Sequence, residues 1–395
     1  MPISTTFIDR GDPGSGRFGI TSDTERDRRL AALREAMKRE GLSALVVSGR
    51  SDLRFRGRVL YVSDIFQFTA DCFVVLAMSG PPIFVSTPIV GLGQASRTNW
   101  VRDFRMSAKP GEAIGQLLIE HGLSKADIGI VGLRDAIAAA HLGEIQSAIP
   151  GARLSDATSL FESVRQVKSE EELDNLRHTS GIFRKMFGAL EAEIRPGIQE
   201  ADIAGNASRI AKLHGCRDVK TAMATTPFEA VSYGSPKRIE RDTVVMVWIE
   251  TPGPTGYWLE LRRCYSFGRP ADRARCYWDV VEAFWHEGLG KMRPGANGCD
   301  VMESIGRILK KAGYSYSDSN YSIHGIGSDA IEGMWYPGND RELKAGEVLS
   351  FHPAVIFPDP EEARQLSFLG MTDNVLVTDK GGLRLTYESD RIIEL

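Results

Sequence analysis

The sequence predicts a two-domain protein, an α/β domain over residues 1–160 followed by an α+β domain over residues 161–395. Three observations carry this. In the first part, short apolar runs alternate with amphipathic helical stripes. In the second part, the order of long helix, Arg-Pro-Gly stop, second helix and strands occurs twice. Between the two parts the composition changes, near Phe161–Lys168. A chain of 395 residues also suits two domains at roughly 150 residues each.

Residues 1–24 are rich in Gly, Ser, Thr and Pro and read as an extended arm. From Thr24 to Glu40 the spacing of Leu30, Leu33 and Met37 gives a helical stripe among dense charge. LSALVVSG then reads as a buried strand closed by glycine. DCFVVLAM, PPIFVST and IGIVGL are further strands, with helices over Ala113–His121 and Ala136–Ile149. The stretch SDLRFRGRVLYVSD carries Arg54, Arg56 and Arg58 and reads as a basic edge.

In the second part, Ser169 and Glu172 have the spacing of a capping box at the head of a long amphipathic helix, which Arg195-Pro196-Gly197 ends. A helix over Glu200–His214 follows, then the strands TVVMVWIE and YWLELRRCYSFG around a PGPTG turn. The sequence then repeats itself in outline: helix Tyr277–Lys291, Arg293-Pro294-Gly295, helix Cys299–Gly313, and strands around His324 and His352.

A net charge of −4 leaves no electrostatic footprint for nucleic acid or an anionic membrane. No apolar run reaches membrane-spanning length, and no basic stretch with an apolar run opens the sequence, so a cytoplasmic protein is expected. Five scattered cysteines without a CxxC pair read as reduced thiols rather than a disulfide or zinc framework. Cys264 lies beside the candidate site.

Several segments together resemble the creatinase, prolidase and aminopeptidase P family. VKSEEELDNLR resembles the helix that opens its catalytic domain, and IRPGIQEADIA and MRPGANGCDVM its paired helix starts. TVVMVWIETPGPTGYWLELRRCYSFG resembles the ligand-bearing hairpin, YSIHGIGSDAIEGMW the GHGIG segment, LKAGEVLSFHPAVIF the following strand, and MTDNVLVTDKG the closing strand. The resemblance implies a pita-bread domain over 161–395 preceded by a creatinase-type α/β domain. It also implies a homodimer, a small-molecule substrate, and an N-terminal domain that reaches the neighbouring subunit's site. Arg54, Arg56 and Arg58 are candidates for that contact; a solvated basic edge is the alternative.

Metal-dependent members hold two ions through two aspartates, one histidine and two glutamates. At the matching positions this sequence has Glu250, Glu260, His324, His352 and Thr372, so only the histidine is unchanged. The second histidine of the GHGIG segment is replaced by Ile331, with Glu332 beside it. A longer Glu for Asp and a Thr for a bridging Glu make a two-metal centre an unfavourable expectation. Two readings of the site stay open. In one it is metal-free and performs acid–base hydrolysis with Glu260, His324 and His352. In the other a single divalent ion is held by His324, His352 and Glu260 or Glu250.

The glycines around His324 allow close backbone approach, which a merely packed histidine would not require. Arg262 shares the face of Glu260 by strand parity, either as its salt-bridge partner or as a clamp for a substrate carboxylate. Arg263, next to it, reads as a structural ion pair. Glu332 and Tyr257 are further substrate-binding candidates, against the alternatives of a loop acid and a core ring. Trp248, Trp258, Trp335 and Tyr336 read mainly as core, with one or two lining a pocket. The remaining histidines, His141 among them, read as surface residues on helices. The expected function is therefore hydrolysis of a C–N bond in a small carboxylate-bearing molecule. A mononuclear metal-dependent lyase or other non-peptidase, and a non-catalytic binding protein, are the alternatives.

Overall fold

The computed structural model describes residues 21–65, 71–87, 100–101, 103–216, 218–316, 323–335, 339–386 and 390–395. Most of the expected N-terminal arm, residues 1–20, and Tyr336 lie outside them. The chain divides into two compact units, Met1–Gln166 and Val167–Leu395.

In the first unit, α1 (Asp23–Arg39) starts where the Ser22 hydroxyl accepts the amide of Glu25. It is followed by β1 (Ala44–Gly49), α2 (Gly57–Ser63), β2 (Cys72–Ala77), β3 (Ile83–Ser86) and β4 (Asp103–Met106). Then come α3 (Pro110–Glu120), β5 (Asp127–Val131), α4 (Ala139–Ala148), β6 (Arg153–Asp156) and α5 (Thr158–Arg165). The strands form one mixed sheet in the order β4-β3-β2-β1-β5-β6. Side-chain alternation sorts β1 between two cores. Leu45 and Val47 pack with Leu30, Leu33 and Met37 of α1 and Phe161 of α5, while Ala44 and Val46 pack with Ile114 and Leu117 of α3 and Ile145 of α4.

Two sequence expectations are corrected in this unit. The stretch read as a basic edge contains the buried helix α2, and Arg58 is no solvated charge. Its guanidinium pairs with Asp135 at 2.7 Å and Glu162 at 2.9 Å, which lets an apolar RVLYVS segment enter the core with its charge neutralised. His141 is likewise not a surface residue. It sits 3.1 Å from Asp71 and 3.4 Å from Glu144, edge-on to Phe73.

The second unit opens with α6 (Glu170–Glu193), whose capping box between Ser169 and Glu172 forms as its spacing predicts. Next are α7 (Glu200–Leu213), β7 (Lys220–Thr225), β8 (Val244–Pro252) and β9 (Trp258–Ser266). The second half repeats the plan with α8 (Asp272–Lys291), α9 (Gly298–Lys311), β10 (Ser315–Tyr316), β11 (Ile323–Gly325), β12 (Val348–Phe351) and β13 (Val355–Ile356). α10 (Pro360–Leu366), β14 (Asp373–Thr378), β15 (Gly381–Arg384) and β16 (Ile393–Glu394) complete the chain. After α6 and α8 the chain turns at Gly197 and Gly295, with φ of 92° and 81°, a conformation that favours glycine.

Two four-stranded sheets result, β16-β9-β8-β7 and β11-β12-β14-β15. They meet where Arg262 of β9 bridges Thr372, just ahead of β14. Asn374 completes the junction. Its amide accepts the backbone N–H of Glu260 at 3.2 Å and donates to the carbonyl of Glu260 at 2.7 Å, so a side chain stands in for a neighbouring strand.

Candidate active site

Cross-strand register decides which side chains face one another. Lys220, Glu250 and Glu260 are successive partners across β7, β8 and β9, and Ala222, Trp248 and Arg262 form the next row on the same face. From the other sheet, His324 on β11 pairs with Ser350 on β12, and His352 follows β12 by one residue. The junction between the sheets brings these two groups together at Glu260.

The result is a small triangle. His324 Nε2 and His352 Nε2 lie 3.0 Å apart, and each is 3.2 Å from Glu260 Oε1. The three ligand atoms form one convergent group. His324 Nδ1 faces the carbonyl of Gly325 at 3.0 Å, an acceptor, so Nδ1 carries a proton and Nε2 is turned into the triangle. Ser350 donates its hydroxyl to Glu260 Oε1, and the Trp248 indole donates to Oε2 at 3.2 Å. Glu260 and His324 are therefore each fixed by a second group behind them.

Electrostatics separate the two imidazoles. Burial opposes charge on Glu260, but His352 and His324 outweigh it and hold this carboxyl well below the usual range. Burial also opposes charge on His324, yet its hydrogen bond and attraction to Glu260 raise its pKa. For His352, burial, with His324 and Arg262 nearby, prevails over Glu260 and lowers it. Burial and the neighbouring Glu260 raise the Glu250 carboxyl, and Lys220 offsets only part of this.

The other candidate residues are placed as follows. Glu250 is outside the triangle, held by Lys220 at 2.7 Å. Arg262 makes no salt bridge with Glu260. It donates from Nη2 to the carbonyl of Met371 at 3.1 Å and lies 5.9 Å from the Trp248 ring, with its buried Nε lacking an acceptor. Glu332 takes an internal role rather than facing a ligand, since Lys168 Nζ at 2.6 Å, the Ser328 hydroxyl and the Asp329 amide satisfy its carboxylate. Tyr257 too is tied inward, donating to Glu172 at 2.8 Å and anchoring the β8–β9 hairpin to α6. Burial pushes the Cys264 thiol up to about 11, so it is protonated at neutral pH. Arg263 pairs with Glu191 at 2.7 Å, a structural contact.

Lys220, Ser350 and Asn374 escaped sequence reasoning, whereas Trp248 reads from the sequence as core or pocket wall. Each is an ordinary strand residue, and only the register shows its partner. Lys220 had a signal of a kind, a lone lysine on the strand paired with Glu250, whose recognition needed that pairing.

The two-ion centre implied by the family resemblance does not fit these residues. The first aspartate position holds Glu250, already neutralised by an ammonium; the bridging position holds Thr372, whose buried hydroxyl has no partner; and a guanidinium stands two residues along β9 from Glu260. One ion does fit. Metal–nitrogen and metal–oxygen bonds of about 2.0–2.2 Å place adjacent ligand atoms roughly 3.0–3.4 Å apart, and the triangle has edges in that range.

Comparison with known proteins places this chain in a family. Residues 29–167 match the creatinase/prolidase N-terminal domain, and residues 174–379 match metallopeptidase family M24. A probable dipeptidase PepE of Mycobacterium tuberculosis is 27% identical over 371 residues, spanning 90% of this chain and 93% of that protein. A Xaa-Pro dipeptidase of Pyrococcus furiosus is 26% identical over 232 residues, spanning 58% of this chain and 65% of that protein. Among solved structures, dipeptidase PepE from Mycobacterium ulcerans has a TM-score of 0.77 at 23% identity, covering 95% of this chain and 99% of that one. An X-Pro aminopeptidase from Thermotoga maritima has a TM-score of 0.78 at 17% identity, covering 93% and 99%. At these identities the structures speak for the fold alone. With more than half of its length matched, the chain belongs to metallopeptidase family M24, a pita-bread hydrolase family, and carries the family's creatinase-type domain in front.

Proposed function

We propose that this protein hydrolyses a C–N bond in a small carboxylate-bearing molecule, using one divalent cation held by Glu260, His324 and His352. The observation that carries this reading is the triangle of ligand atoms with edges of 3.0 and 3.2 Å. A bound ion supplies Lewis acidity, polarising a carbonyl oxygen and lowering the pKa of water. The protein's own groups do the rest. Glu260 and the two imidazoles set the position of the charge. Glu250, facing Glu260 across the β8–β9 ladder, is the carboxylate left to accept a proton, and Lys220 fixes where it points. Arg262 orients the anionic end of the substrate, and Trp248 walls the pocket between Lys220 and Arg262.

Elemental analysis of protein purified without chelator tests the proposal. One divalent transition-metal ion per chain is expected, and His324→Ala should lose it. Two ions per chain, or none, overturns it. A metal-free acid–base hydrolase is the second reading, supported by the opposite shifts of the two imidazoles, which provide one acid and one base in the same triangle. That reading requires full turnover from protein in which no metal is detected.

A further inference from the structure

One of the two cations on this face is paired with a carboxylate and the other is not. Lys220 is neutralised by Glu250. Arg262 has no carboxylate partner among the described residues, and its Nε is occluded from solvent without an acceptor. Thr372, opposite Arg262 in the bridge that joins the two sheets, is 1% exposed, and its hydroxyl also lacks a partner. Residues paired across such a bridge project to the same face, so the two unsatisfied donors stand side by side. Glu260 lies on that face too, two residues along β9. A guanidinium N–H and a hydroxyl that are both occluded and without an acceptor are costly, and both are satisfied by one anionic group.

The second charge rests on the single-ion reading. Glu250 and Glu260 are the two carboxylates of the pocket face, against Lys220, Arg262 and a divalent ion. Two positive charges stay uncovered. A zwitterionic dipeptide, with no net charge, leaves that imbalance in place; a diacid removes it.

We infer that the ligand of this site is a dianion. One anionic group is held by Arg262 Nε–H and the Thr372 hydroxyl, and the other lies against the cation of the triangle. Trp248 lies on the same face, its ring 5.4 Å from the Lys220 ammonium and 5.9 Å from the Arg262 guanidinium.

Equilibrium binding without turnover tests this. The ion-loaded protein is titrated calorimetrically with succinate, acetate and the zwitterion glycylglycine. Succinate is expected to bind at least tenfold more tightly than acetate, with glycylglycine weakest. Arg262→Gln should abolish the preference, Arg262→Lys should keep part of it, and Thr372→Val should weaken succinate several-fold in a folded protein. Equal binding of succinate and acetate, or unchanged succinate binding in both Thr372→Val and Arg262→Lys, overturns the inference. Failure of the single-ion reading is separable. Protein that holds no metal yet binds acetate in an Arg262-dependent manner retains the anion subsite and loses only the second charge.

Discussion

His324 enters the site with one ring nitrogen committed to the carbonyl of Gly325 and the other aimed at Glu260 and His352. Such commitment behind a ligand is what gives a metal site its affinity, and outer partners of this kind are worth about 10–100-fold. Ser350→Ala, which removes the hydroxyl bonded to Glu260 Oε1, is therefore expected to weaken ion binding by about 10–100-fold without unfolding the protein, as read by competition with a fluorescent chelator. Glu260→Gln should be more severe, abolishing both ion binding and turnover. The two histidines and Glu260 were legible because the family's segments run in order and each falls at a ligand position. Glu332 and Tyr257 sit in equally suggestive motifs, yet Lys168 and Glu172 claim them. A motif gives the position of a side chain along the chain but not the partner that reaches it first.

Among elements, the β11 turn shows what the glycines of HGIG do. A Cβ on Gly325 would stand 2.2 Å from the carbonyl oxygen of Glu332, which is backbone and cannot swing aside. Gly325→Ala is expected to lower stability by about 1–3 kcal/mol and to misplace His324, so calorimetry and ion binding should both report it. In α1 the buried Glu25 is bonded to Arg28 and Arg29, each at 2.7 Å. Burial raises its pKa, but the two arginines outweigh burial and hold it below its ordinary value. A depressed folded pKa means that the stabilisation is present above the unfolded value and fades as pH falls through the folded one. Glu25→Gln should thus cost about 2 kcal/mol at neutral pH and progressively less in acid, a convergence that urea titrations at several pH values would reveal. The larger elements were readable from period and caps, with ends displaced by a few residues. α2 was not, because an arginine-rich stretch hides its apolar side until Asp135 and Glu162 are seen to neutralise Arg58.

For the whole molecule, two units with separate cores imply two separable folding problems. A fragment spanning 167–395 is expected to unfold cooperatively and to keep the ion affinity of the full chain, since Glu260, His324 and His352 all lie within it. A fragment that binds no ion despite a native circular dichroism spectrum would refute this. The homodimer implied by the family resemblance is kept as a proposal, and sedimentation equilibrium measures it directly. No helix among the described residues is long and apolar enough to cross a membrane. The repeated half-unit was visible in sequence as two Arg-Pro-Gly stops, whereas the stitch between the halves was not. That stitch, the amide of Asn374 gripping both backbone groups of Glu260, would make the proposed cation a thermometer for the seam. The carboxylate belongs to one half and both imidazoles to the other, so a slight parting of the sheets would open the triangle before their shared core melts. On heating, the ion should leave first, several degrees below the calorimetric transition, and in Asn374→Ala that interval should widen.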